Sequence, residues 1–279
     1  MDFALPPPRL PGGPYLMGIV NTTPDSFSDG GLFADSTRAM DQACRLWEAG
    51  ADLIDIGGES TRPGALPVPA EEEIARTAPV IAALAARIPA WLSIDTMKPR
   101  VAREAAQAGA RLWNDVGALQ TPSALEVAAQ LGLHVLLMHK QGEPLTMQMA
   151  PHYENVLEEV TAFLQTRAEA AVGAGIAPDR IWLDPGIGFG KTLAHNGILL
   201  HDLPNMRARL GFPLCIGLSR KRFIAAIEAQ AGLASSPPQA RLGGSLAGAL
   251  FAAAQGADML RVHDVAETLQ ALQVMRFLS

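Results

Sequence analysis

Short runs that are apolar at nearly every position alternate along this chain with longer stretches in which apolar residues recur at helical spacing. The short runs occupy residues 15–20, 53–56, 91–94, 111–114, 134–138, 181–183, 214–217 and 259–262. Strands that are apolar on both faces are buried on both faces, as in a parallel sheet covered by helices. The helical pattern predicts helices over 36–49, 71–87, from Pro99 onward, and over 123–130, 156–174, 196–210, 223–230 with 242–255, and 265–278. Ser36 is placed to cap the first and Gly50 to close it. Glu71, Glu72 and Glu73 fall in the first turn of the second, where negative charge suits the helix dipole, and the charges of that helix read mostly as a solvated face. Pro99 opens the third at a first-turn position. Eight strand-then-helix units in 279 residues average about 35 residues each, the spacing of a (β/α)8 barrel. A doubly wound open sheet is the alternative.

Composition narrows this picture. Hydrophobic residues make up 49% of the chain and charged residues 18%, enough for a large core and too apolar for disorder. The net charge of −6 argues against a non-specific nucleic-acid binder, while leaving room for a local basic pocket that takes an anion. Proline and glycine crowd residues 6–14, so residues 1–14 are expected to be a flexible leader and 15–279 a single domain. The leader lacks the basic start and apolar run of a signal peptide, and no apolar run reaches 18 residues, so a cytoplasmic protein without a membrane span is expected. Cys44 and Cys215 are too few for a disulfide framework or a four-thiolate zinc site and read as reduced, buried thiols.

In a barrel of this kind, chemistry gathers at the C-terminal ends of the strands. Those ends carry, in order, Asn21; Asp55 with Glu59, Thr61 and Arg62; Asp95; Asn114 with Asp115; Met138 with His139; Asp184; Ser219, Arg220 and Lys221; and Arg261 with His263. Asp95, Asn114, Asp184 and Lys221 suit the polar floor of a pocket for a nitrogen heterocycle. A carboxylate accepts two parallel N–H bonds, and an amide both donates and accepts. Arg62, Arg261 and His263 suit phosphate oxygens. The inference is a heterocycle with a phosphate-bearing arm. Residues 22–31, with Phe27, and 57–64 are loops rich in turn residues and are candidate lids over the barrel mouth.

Some features carry a plainer reading. GFGKT at 188–192 imitates a nucleotide-binding loop, but Pro185 stands where that motif needs glycine, and its glycines read as letting the backbone approach the ring closely. His139 reads first as a satisfied structural imidazole. Trp91, Trp113 and Trp182 read as core. No Ser–His or Cys–His pairing for nucleophilic catalysis is evident.

A set of longer motifs adds to this reading: MGIVNTTPDSFSDGG (17–31), DIGGESTRPGA (55–65), SIDTMKPRVA (93–102), WNDV (113–116), LMHKQGEPLTMQ (137–148), DPGIGFGKT (184–192), GLSRKRFI (217–224) and RVHDV (261–265). They resemble the dihydropteroate synthase family of folate biosynthesis. The resemblance implies a single-domain barrel and a transferase that joins 4-aminobenzoate to 6-hydroxymethyl-7,8-dihydropterin diphosphate, giving 7,8-dihydropteroate and diphosphate without a covalent enzyme intermediate. It implies Mg2+ near Asn21 and a homodimer. It places the pterin on Asp95, Asn114, Asp184 and Lys221, with Met138 and Phe189 packed around the ring. It places the diphosphate on Arg62, Arg261 and His263, and 4-aminobenzoate beside Phe27, Thr61, Pro63 and Ser219. Asp95, Lys221, Arg261 and His263 would serve the chemical step. One loop departs from the family, which usually has Met and Lys where Lys140 and Leu145 stand. A pterin-binding methyltransferase domain and a non-catalytic pterin-binding homologue are the alternatives. The first does not need the diphosphate grip of Arg62, Arg261 and His263, and loss of Asn21, Arg62 or His263 would have supported the second, yet all are present.

Overall fold

A computed structural model describes Leu5 and residues 7–22, 31–60, 65–142 and 146–278, with only the backbone described for 31–35. Its eight strands are β1 (Tyr15–Asn21), β2 (Leu53–Gly57), β3 (Trp91–Asp95), β4 (Leu112–Asp115), β5 (His134–Met138), β6 (Ile181–Asp184), β7 (Cys215–Gly217) and β8 (Met259–Val262). All pair in parallel, in the order β6-β5-β4-β3-β2-β1-β8-β7. A parallel bridge between Leu183 and Leu214, with Leu183 N–H donating to Pro213 O at 3.0 Å, joins the two ends and closes the barrel. The (β/α)8 expectation holds, and the open sheet is excluded by that closure.

The helices form the outer ring. They are α1 (Gly31–Glu48), α2 (Ala70–Arg87), α3 (Pro99–Ala108), α4 (Ala124–Leu131), α5 (Val156–Gly173), α6 (Leu193–His201), α7 (Leu203–Leu210), α8 (Arg222–Gln230), α9 (Leu242–Ala254) and α10 (Val265–Leu278). Three expectations need correction. First, α1 begins at Gly31, so Ser36 lies inside the helix, where serine costs only a few tenths of a kcal/mol, roughly, rather than at its cap. Second, the helix expected over 196–210 is two helices meeting at Asp202, with Pro204 in the first turn of α7, where its missing N–H has no intrahelical partner to lose. Third, the charges of α2 are not all solvated: Glu73 and Arg76 are buried.

Strand alternation sorts the core into two layers. Outward residues such as Val20, Ile54, Ile94, Val135, Leu183 and Leu260 pack with Val80, Leu164, Leu203 and other helix residues in one continuous cluster. Trp113 belongs to this outer layer and donates its indole N–H to Thr96 O at 2.7 Å. Inward residues form a second, separate cluster with one member from each strand: Met17, Leu53, Trp91, Leu112, Leu136, Trp182, Cys215 and Met259. Leu5 and Tyr15 pack against it from the N-terminal side. The barrel is therefore plugged by apolar side chains, and whatever follows two residues later on each strand stands on a dry floor.

The leader is anchored over its described residues. Leu10 is buried, Arg9 N–H donates to Asp52 Oδ1 at 2.8 Å, and the Arg9 guanidinium lies 4.9 Å from the centre of the Trp47 ring. Cys215 is buried and Cys44 partly so, and both are free thiols. No described helix is long and apolar enough to cross a membrane.

Leu53 is fully buried in the inner plug. Leu53→Ala is expected to lower the unfolding free energy by about 2–5 kcal/mol, read from the denaturant midpoint, because the surrounding strands cannot collapse into the space.

Candidate active site

The alternation that aims Leu53, Trp91, Leu112, Leu136, Trp182 and Met259 inward also aims Asp55, Ser93 with Asp95, Asn114, Met138, Asp184 and Arg261 inward, one layer higher. The polar strand ends read from the sequence therefore meet inside one barrel mouth.

Arg261 organises that layer. Its Nε donates to Asp55 Oδ2 at 2.6 Å and its Nη2 to Asp95 Oδ2 at 2.7 Å, so one guanidinium spans two carboxylates from neighbouring strands. Asn114 Nδ2 donates to the same Asp55 oxygen at 3.0 Å. Asp55 is fully buried and is the hub of the layer, a role its place at a strand end did not reveal. Burial pushes the Asp95 carboxyl up to about 7, with Arg261 opposing and Asp55 adding to the rise. Burial disfavours the Arg261 cation, but the two carboxylates together hold its pKa above the ordinary arginine value. Asp95 Oδ1 has no hydrogen-bond partner among the described residues and is an acceptor in reserve. Arg261 was expected to face phosphate oxygens. Here two of its nitrogens are engaged by carboxylates, which makes it first the clamp of the floor.

The second half of the floor lies across the barrel. Asp184 is buried, and its Oδ1 accepts Gly186 N–H at 2.7 Å. Burial raises its pKa and the Lys221 ammonium opposes the rise. Lys221 Nζ donates to Ile187 O at 2.5 Å and stands 4.6 Å from the centre of the Phe189 ring. Burial lowers its pKa to about 8, against the pull of Asp184.

Phe189 is held by a loop whose backbone groups are pinned almost one by one. Gly188 N–H donates to Asn196 Oδ1 at 2.8 Å, Gly188 O accepts from Gln148 Nε2 at 2.5 Å, and Gly190 O accepts from the Tyr153 hydroxyl at 3.0 Å. Gly186 and Gly190 have φ of +68° and +63°, and a Cβ on them would lie 1.8 Å from His139 O and 2.3 Å from Gln141 O. These glycines thus let the loop lie on the backbone that follows β5, which corrects the expectation that all of them serve approach to a ring. Lys191 Nζ reaches Phe189 O at 3.1 Å and His139 Nδ1 at 2.9 Å. Burial, reinforced by Lys191, holds His139 down to about 3, so its imidazole stays neutral and structural. Lys191, buried and lowered by that burial to about 7, was not singled out in the sequence. Its place two residues after Phe189 was the available signal.

The run Ser219-Arg220-Lys221 divides into three roles. Ser219 Oγ accepts His263 N–H at 3.2 Å and lies 3.0 Å from His263 Nδ1, joining the ends of β7 and β8. Arg220, at a left-handed φ of +59°, turns away and forms a two-point ion pair with Asp264, with its Nε 3.0 Å from Oδ2. That frees Lys221 to enter the barrel.

A cavity of about 900 Å3 opens at this mouth. Asn21, Asp95, Phe189, Ser219, Lys221, Arg261 and His263 line it, whereas Asn114, Met138 and Asp184 are buried behind that lining. Phe27, Thr61, Arg62 and Pro63 lie outside the described residues. The arrangement offers acceptors, an amide, a lysine and an aromatic wall to a flat polar ring, and an imidazole near the rim for an anion.

A buried floor of this composition inside a closed barrel defines a class, and a family model described as "Pterin binding enzyme" matches residues 17–263. The relatives resolve the class further. Over 262 residues the chain is 48% identical to the dihydropteroate synthase of Escherichia coli strain K12, covering 94% of this chain and 90% of that one. The structure of the Xanthomonas albilineans dihydropteroate synthase with 4-aminobenzoic acid superposes with a TM-score of 0.88 at 50% identity, covering 95% of this chain and 93% of that one. The same enzyme in complex with 7,8-dihydropteroate gives 0.85 at 47% identity, over 95% and 94%. The chain belongs to the dihydropteroate synthase family of pterin-binding enzymes.

Asp55 carries two of the floor's hydrogen bonds on one oxygen. Asp55→Ala is expected to destabilise the fold by about 3–5 kcal/mol in chemical denaturation, because it leaves Arg261 and Asn114 short of a buried partner.

Proposed function

We propose that this chain works as a dihydropteroate synthase at the cavity just described, joining 4-aminobenzoate to 6-hydroxymethyl-7,8-dihydropterin diphosphate with release of diphosphate. The observation that carries the reading is the convergence of Asp95 and Lys221, which line one cavity, with Asn114 and Asp184, buried behind that lining. In this reading the carboxylates of Asp95 and Asp184 accept the N–H groups of the pterin edge, and Asn114 and Lys221 serve its acceptors. Met138 and Phe189 pack around the ring. His263 and Arg62 hold the diphosphate. Arg261 lends the same group its remaining nitrogen and its fixed charge, while its clamp on Asp55 and Asp95 keeps the floor in register. Phe27, Thr61, Pro63 and Ser219 border the 4-aminobenzoate.

The reaction breaks the bond between the pterin methylene carbon and a diphosphate oxygen, and the electron pair leaves with the diphosphate. The cation that develops on the methylene is spread into the pterin ring and favoured by the ionised Asp95 carboxylate. The amine lone pair of 4-aminobenzoate forms the new C–N bond, and the amine then gives up a proton to solvent. Such a path needs no enzyme nucleophile.

Among the described residues no three His, Cys, Asp or Glu side chains come together to cage a metal. A lone amide oxygen from Asn21 on the cavity wall suits Mg2+ that travels with the substrate, because this ion keeps much of its water and takes few protein ligands beside phosphate oxygens. Asn21 would hold that ion, whose chemistry is to offset charge on the diphosphate. A cytoplasmic homodimer completes the proposal. The exposed Ile227 of α8 and Val274 and Phe277 of α10 supply apolar surface for such an interface, whereas Gly244 and Gly248 of α9 pack inside the subunit against Ile224 and Leu218.

The direct test is diphosphate release from the pterin substrate, which should require both Mg2+ and 4-aminobenzoate. Release at the same rate without 4-aminobenzoate would mean hydrolysis instead. The pH profile of kcat/KM should be bell-shaped. Its acid limb falls as Asp95 protonates below about 7, and its alkaline limb falls as Lys221 loses its charge above about 8. Lys221→Arg should move the alkaline limb upward, since guanidinium keeps its charge there.

A further inference from the structure

Next to the cavity, at its β2 side, five charged residues form a cluster that the reaction does not use. Lys98 Nζ lies 2.6 Å from Glu73 Oε2 and also pairs with Glu59. Arg76 pairs with Glu72 and donates through Nη1 to Gly58 O at 2.9 Å. Glu73 is fully buried and Arg76 nearly so.

This cluster is poorly explained as a device for stability. A buried ion pair is often no better than apolar side chains of the same volume, because desolvation offsets the attraction. Lys98 is moreover the N-cap of α3, where a cation opposes the helix dipole, and its side chain makes no capping bond. What the cluster does is geometric. Two cations reach from α2 and from the start of α3 to the two residues that follow β2: Arg76 takes the carbonyl of Gly58, and Lys98 takes the carboxylate of Glu59. Gly58 is pressed onto α2 so closely that a Cβ on it would lie 2.8 Å from both Glu73 Cγ and Thr77 Cγ2. Glu59 and Ser60 line the cavity, and Thr61, Arg62 and Pro63 follow at once in sequence.

We infer that Glu73, Arg76 and Lys98 are positioning residues that fix the root of the loop after β2, and so set the affinity for 4-aminobenzoate without touching either substrate. The inference rests on the reading that this loop borders the 4-aminobenzoate. The residues read as holding the pterin, Asp95, Asn114, Asp184 and Lys221, stand on β3, β4, β6 and the segment after β7, and no described hydrogen bond joins them to Glu73, Arg76 or Lys98. Loosening the ties frees Gly58, Glu59 and Ser60, and the entropy of ordering them is then lost on each binding event.

The test uses the double variant Glu73→Met with Lys98→Met, which removes the Glu73–Lys98 pair together and cuts the tie to Glu59. It also uses Arg76→Met, which cuts the Gly58 tie and keeps the Glu73–Lys98 pair, so it reports even where the double variant does not fold. In each, the KM for 4-aminobenzoate should rise about tenfold or more while that for the pterin diphosphate stays within twofold of wild type. Lys98→Arg, which keeps the cation, should stay near wild type in both constants. If both constants stay within twofold in Arg76→Met and in the folded double variant, or rise together, the cluster does not act on this loop and the inference is overturned. Wild-type protein that releases no diphosphate with 4-aminobenzoate would instead overturn the reaction itself, and this inference with it.

Discussion

Inside the barrel, one guanidinium holds two buried carboxylates apart and in place. Asp55 and Asp95 come from adjacent strands and are both buried, and the Arg261 guanidinium between them opposes the rise that burial imposes on the Asp95 carboxyl. Arg261 arrives from β8 and bonds both, and Asn114 from β4 donates to the same Asp55 oxygen. Four side chains from four strands are thereby set to within hydrogen-bond tolerance. The part of the cavity wall formed by Asp95 and Arg261, and the acceptor left on Asp95, depend on it. The strength of the arrangement comes from the low dielectric around it, which the apolar plug below provides.

That plug explains why so much polarity is tolerated so deep. Each strand contributes one buried apolar side chain to the lower layer. Above it, every polar group must find a partner or be kept for a ligand. Asp184 finds Gly186 and Lys221, and Lys221 finds Ile187 and the face of Phe189. The Phe189 loop is satisfied by Asn196, Gln148 and Tyr153. A ligand entering this site meets groups already oriented, which is how a preorganised site lowers the ordering cost of binding.

The charges outside the floor follow a different logic. Glu73, Arg76 and Lys98 tie a loop root to two helices, and Arg220 with Asp264 turns the chain so that its neighbour Lys221 points inward. Both sets act through backbone placement. Buried charge costs free energy in each case, and direction is what it supplies in return.

The strand-and-helix rhythm of the chain was legible because it depends on local periodicity alone: a strand buried on both faces must be apolar throughout, and a helix must show its stripe. Strand count, order of elements and the polar character of the strand ends followed from that, and His263, Lys221, Asp184 and Asp95 were readable as a set because each falls at such an end. The motifs then pointed to the family. What the sequence could not hold was partnership between residues far apart along the chain. Asp55 and Arg261 are 206 positions apart, and nothing local distinguishes a carboxylate that serves as a hub from one that merely ends a strand. The same holds for Glu73, whose neighbours Glu71 and Glu72 are exposed on the same helical turn. Helix propensity and charge treat the three alike, and only the packing of α2 against the β2 and β3 ends buries one of them. Local pattern therefore determined which elements form and which faces they bury, while the closing of the barrel decided which charges meet, because pairing energy depends on distance in space and on the dielectric that burial creates.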